Sequence, residues 1–185
     1  MRARTYIAAA GVVLVATACV AQLVTGQNTI AGQAAPEFSA TATDGKTYTL
    51  SAMEKKPTIL VFWKNPCPHN PRASSLVNSV VDAYKGKVSV FGVVNSEGDA
   101  AKSFQEQFGK DYAFLHDPKK SIITSYKQPR SIVFVVIDKD RKVESVIGGY
   151  SQESMKLLNT AMAKAAGMSE ATLDFSGAPT RTTYG

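Results

Sequence analysis

Cysteine is the residue type in this sequence whose placement speaks for covalent chemistry. The chain carries two, Cys19 and Cys67. Cys19 falls in an apolar N-terminal block, whereas Cys67 stands in a Pro66-Cys67-Pro68 step between a continuous apolar run and a helical pattern. Unpaired backbone N–H groups and the positive end of the macrodipole at a helix start stabilise a thiolate, the form that attacks disulfides and peroxides. A free cysteine is also common as a small buried apolar residue. The two flanking prolines and the strand-to-helix junction favour the reactive reading. On either reading the domain has one thiol and no internal disulfide, so a redox cycle through Cys67 needs a second thiol from outside.

The neighbours of Cys67 add less. His69 follows it by two residues, and a thiolate with an imidazole is a start toward a soft-metal site, but two ligands do not make one and His116 would have to converge from another strand. His69 therefore reads as a histidine at the start of a helix, and no metal or cofactor is expected. Lys64 and Arg72 read as solvated cations, and Trp63 as packing for the loop beside Cys67.

The elements that must hold this thiol follow from periodicity. Thr58 to Trp63 is uniformly apolar and rich in strand formers, as expected for a strand buried on both faces. Apolar residues then recur at helical spacing from His69 to Tyr84, through Ala73, Leu76, Val77, Val80, Val81 and Tyr84. The pattern repeats as a strand over 88–94, a helix over 99–108, a short strand over 112–115 and a helix over 119–126. A strand over 131–137, a turn at Asp138 to Arg141, a strand over 143–147 and a helix over 151–166 complete it. Asp44-Gly45-Lys46 is an earlier turn between two short extended pieces. Alternating strands and helices that end in a hairpin and a helix predict an α/β domain, a central mixed β-sheet flanked by helices on both faces.

The remaining chain sets the context. At 185 residues and 44% hydrophobic there is room for one domain. Arg2 and Arg4 precede an uncharged run over 7–24, so 1–24 reads as an export signal or a membrane anchor. Ala16-Thr17-Ala18 fits a cleavage site, and Cys19 directly after it is a candidate for lipidation. Residues 25–35 read as a linker, 36–167 as the domain and 168–185 as a disordered tail. The domain is thereby expected outside the cytoplasm of a bacterial-type cell, facing the periplasm or the exterior. The net charge of +6 does not indicate nucleic acid, because the basic residues are scattered; an anionic membrane surface is the simpler partner.

Gly32 to Pro36-Glu37-Phe38, the Asp44-Gly45-Lys46 turn, Val61-Phe62-Trp63 before Cys67-Pro68, and Val136-Ile137-Asp138-Lys139-Asp140 together resemble the redoxin branch of the thioredoxin superfamily. That branch includes peroxiredoxins of the alkyl hydroperoxide reductase type and membrane-anchored thiol-disulfide oxidoreductases that serve cytochrome c maturation. The resemblance runs from about Gly32 to Ala166 and implies a thioredoxin-like fold with Cys67 as the catalytic residue. It also implies supporting positions at Trp63, Pro68, Asn70, Arg130 and Ile132.

The departures are as informative. The anchored oxidoreductases resemble Trp-Cys-x-x-Cys here, and Asn70 occupies the place of the second cysteine. They carry a proline, usually cis, where this chain has Ile132, and Pro129 lies three residues early. Peroxiredoxins carry Thr or Ser where Lys64 stands and Pro where Leu60 stands, and Arg130 meets their peroxide-polarising arginine only loosely. The expectation is a thiol-disulfide oxidoreductase that uses Cys67 with an external resolving thiol or a protein disulfide partner. The alternatives are a one-cysteine peroxidase with antioxidant activity and a redox-inactive tethered binding module.

Overall fold

The computed structural model describes residues 30–109 and 111–185; the expected signal or anchor and Cys19 lie outside them. The chain runs through β1 (Ser39–Thr41), β2 (Thr47–Thr49), a single 3-10 turn (Leu50–Ala52), β3 (Thr58–Trp63) and α1 (Asn70–Ala83). It continues through β4 (Ser89–Val94), α2 (Gly98–Phe108), β5 (Phe114–His116), α3 (Ser121–Ser125), β6 (Val133–Ile137), β7 (Val143–Gly148) and α4 (Gln152–Ala166).

All six residues of β3 are buried. Side chains alternate across a strand, so Ile59, Val61 and Trp63 enter one apolar cluster while Leu60 and Phe62 enter the other. A strand apolar on both faces belongs in the middle of a sheet, and the order is β5-β4-β3-β6-β7. β3 pairs parallel with β4 and antiparallel with β6, so the sheet is mixed. The crossovers β3-α1-β4 and β4-α2-β5 step the same way across the sheet, and right-handed connection puts α1 and α2 on one face. α4 packs beside α1 on that face. The opposite face is closed by Phe38, Leu50, Ile122 and Tyr126, from the β1–β2 hairpin region, the 3-10 turn and α3.

Local chemistry sets the ends. Ser151 caps α4, its hydroxyl accepting from the Ser154 backbone N–H while the Ser154 hydroxyl accepts from Ser151 N–H. Gly167, at φ 64°, ends the same helix in the left-handed region. α3 is shorter than the pattern over 119–126 predicts because its cap residue Lys120 is itself left-handed, at φ 58°. Ser131 and Ile132, expected within a strand, form the loop that enters β6.

Two stretches differ from the sequence reading. Residues 30–35, expected as linker, already belong to the domain: Ile30 is buried, and Gly32, Gln33 and Ala35 bond to the backbone of Val143 and Arg141. Residues 168–185, expected to be disordered, pack back over the domain, with Phe175 and Ala178 buried. Their order comes from separate anchors rather than a repeating apolar face. The Tyr84 hydroxyl donates to Asn159 Oδ1 at 2.7 Å and accepts from the Ala171 N–H at 2.8 Å, joining α1, α4 and the returning chain.

That hydroxyl is the testable joint. Tyr84→Phe leaves the buried Asn159 carbonyl and the Ala171 N–H each short of a partner, and we expect a loss of roughly 1–3 kcal/mol in urea-induced unfolding. A change below about 0.5 kcal/mol would contradict the role assigned to it.

Candidate active site

The C-terminal ends of β3 and β4 lie side by side, with Trp63 opposite Val94. The loops leaving them therefore meet. Asn95, just past β4, accepts from the Asn65 N–H at 2.7 Å and donates from Nδ2 to the Asn65 carbonyl at 3.1 Å, while Asn65 Nδ2 donates to Ser96 Oγ. The Asn65–Pro66 peptide is cis. On the other side Asn70, the first residue of α1, donates from Nδ2 to the Lys64 carbonyl at 3.0 Å, and its backbone N–H donates to the Cys67 carbonyl at 3.2 Å. The loop bearing Cys67 is thus tied at both ends by asparagine side chains.

Cys67 itself is 8% exposed. It precedes the α1 cap residue His69 by two positions, and His69 makes no side-chain cap bond. Facing the thiol is the loop before β6. The Ser131–Ile132 peptide is cis, so Ile132 has the backbone form that the sequence resemblance associates with proline at this place. Ser131 is buried and its hydroxyl has no partner. Between the two loops lies Gly185: a Cβ built on it would overlap Cys67 Sγ and approach Ser131 Oγ to 3.0 Å. Cys67 and Ser131 therefore line one slot.

The expected supporting residues separate. Asn70 holds the Cys67 loop, and Ile132 shapes the facing one while its side chain enters the core. Trp63 is a core residue, 1% exposed and edge-on to Phe104, rather than part of the loop. Pro68 is exposed in the turn before α1. Arg130 lies over the Tyr184 ring, 5.3 Å from its centroid. Leu60 is fully buried and Lys64 is exposed, and neither side chain carries a hydroxyl to offer the thiol. Beside Ser131 is a cavity of about 190 Å³ lined in part by Lys64, Asn95, Gln128 and Arg130.

Asn95, Ser131 and Gly185 were not legible as site residues. A signal existed for Asn95 alone, as the residue that follows a strand parallel to the one leading to Cys67. His116 ends β5, two strands from β3, and among the described residues no three of His, Cys, Asp and Glu gather as a metal site.

The central mixed sheet, the loop with one cysteine and the facing cis loop define a thioredoxin-like protein. Residues 31–146 match the AhpC/TSA family, and the chain belongs to it. It is 25% identical over 146 residues to the chloroplastic peroxiredoxin Q of Populus jackii, a match covering 70% of this chain and 68% of that protein. To the thiol-disulfide oxidoreductase ResA of Geobacillus thermodenitrificans it is 26% identical over 120 residues, covering 64% and 69%. Its fold superposes on a secreted Mycobacterium tuberculosis disulfide oxidoreductase homologous to E. coli DsbE, with a TM-score of 0.57, 25% identity and coverage of 69% and 95%.

One titration near this end of the sheet is measurable. Burial holds the His116 imidazole below its usual range, Glu97 opposing the shift and Lys102 adding to it. The unfolded chain then takes up this proton at higher pH than the folded one, so stability falls as pH drops below about 6.5. His116→Gln should flatten the pH dependence of the urea midpoint between about pH 7 and 5, and an unchanged slope would contradict it.

Proposed function

We propose that the protein is a thiol-disulfide oxidoreductase that works through Cys67 alone and is released by an external thiol. The observation that carries this reading is the slot that the Cys67 sulfur and the Ser131 hydroxyl line together. In it the Cys67 thiolate attacks one sulfur of a partner disulfide. The S–S bond breaks, a mixed disulfide forms, and the partner's other sulfur leaves as a thiolate and takes up a proton. An external thiolate then attacks the partner sulfur of the mixed disulfide and Cys67 departs as a thiolate. A second external thiol completes reduction of the partner, leaving the external pair oxidised.

The likeness to ResA and to the DsbE homologue supports this reading, as does membership of a redoxin family. Peroxide chemistry has weaker support, because Leu60 and Lys64 offer the thiol no hydroxyl and Arg130 is engaged by Tyr184. The basic residues and apolar run within 1–24 support export, with the domain held at a membrane and its disulfide partners outside the cytoplasm.

Asn70 makes the single-cysteine mechanism testable. A turn closed by the bond from Asn70 N–H to the Cys67 carbonyl holds the two Cα atoms within about 7 Å, near the reach of a disulfide. In a Cys19→Ser background we expect thiol-disulfide exchange with a model disulfide to vanish in Cys67→Ser. In Asn70→Cys the mixed disulfide should resolve internally, and release should lose its dependence on added thiol. Equal exchange rates for the parent and Cys67→Ser would remove the proposal.

A further inference from the structure

The site described above is occupied by the protein's own chain. After α4 the chain returns past Phe175 and Ala178, and the Pro179 carbonyl accepts from the Gln152 N–H at 2.9 Å. From there it runs back to Cys67, which Gly185 adjoins. Thr183 and Tyr150 exchange both backbone bonds, Tyr150 N–H to the Thr183 carbonyl at 2.8 Å and Thr183 N–H to the Tyr150 carbonyl at 3.1 Å. Two residues on, Gly185 and Ser131 do the same, at 2.6 Å from Gly185 N–H and 3.2 Å from Ser131 N–H.

The two closed pairs fall on different segments, Thr183 on Tyr150 just past β7 and Gly185 on Ser131 just before β6, and the first is an isolated antiparallel bridge. Side chains add to the hold. The Thr182 hydroxyl bonds Ser151 Oγ, the Thr183 hydroxyl bonds the Tyr150 carbonyl, and Tyr184 lies under Arg130 and against Gly148, where a Cβ would come to 2.8 Å from its hydroxyl. Residue 185 must be small, since any Cβ would overlap the sulfur. The buried Ser131 hydroxyl, left without a partner, lines the same spot.

We infer that residues 182–185 are a displaceable internal cover of Cys67, whose departure frees the thiol and the Ser131 and Tyr150 backbones together. The cover is held by main-chain bonds and by the Tyr184 ring under Arg130. It stands on geometry alone and does not depend on the reading of Cys67 as the reacting group. Four backbone bonds, each of modest net worth, hold a short segment with exposed neighbours, which suits local opening without unfolding of the domain.

The test is the rate at which iodoacetamide alkylates Cys67 in the full chain with Cys19→Ser. Removing residues 180–185 should raise that rate by about ten-fold or more, given the four bonds lost. Gly185→Val and Thr183→Pro should raise it as well, through overlap with the sulfur and loss of the Thr183 N–H. Adding a peptide of residues 180–185 to the shortened chain should slow alkylation again. If the shortened chain does not fold, by circular dichroism, the two substitutions decide. Rates equal to the parent's in the folded variants would overturn the inference. Faster alkylation with no disulfide exchange in any variant would keep the cover and remove the redox reading.

Discussion

The site depends on one constraint: a strand buried on both faces has to stop abruptly and hand the chain to a helix without losing its backbone partners. β3 does this at Trp63, and the handover is held by asparagines. Asn95 takes both backbone groups of Asn65, and Asn70 takes the carbonyl of Lys64. Buried polar backbone needs partners, so these side chains fix where the thiol stands. Cys67 is a consequence of that clamp, presented at the mouth of the slot and not inside the core clusters.

Asn70 changes meaning in this light. The sequence resemblance sets it at the place of a second cysteine, and in the fold its side chain hydrogen-bonds the loop leading to Cys67. The facing loop follows the same logic: the Ser131–Ile132 peptide is cis without proline, and the Ile132 side chain is absorbed into the core.

The sheet and helices were legible because burial leaves a mark in the sequence: an unbroken apolar run for β3, which is buried on both faces, and a period near 3.6 for α1 and α4. Cys67 was legible from its flanking prolines and its place between the run and the first helical period. Order in residues 168–185 left no period, since it comes from Phe175, Ala178, Tyr184 and a few main-chain bonds, each to a different part of the domain. Trp63 was misjudged as loop packing for a related reason: the last residue of a buried strand still alternates, and its turn falls toward α2. Contacts between residues far apart in the chain, such as Ser131 with Gly185, cannot be read from a single sequence without a partner to compare.

The proposed mechanism requires that Cys67 in the folded protein form a mixed disulfide. Intact mass spectrometry after incubation of the native Cys19→Ser chain with oxidised glutathione tests it most directly. One glutathione per chain is expected, mapped to Cys67 and absent in Cys67→Ser. An adduct that forms only after denaturation would contradict it, and would make Cys67 a structural residue.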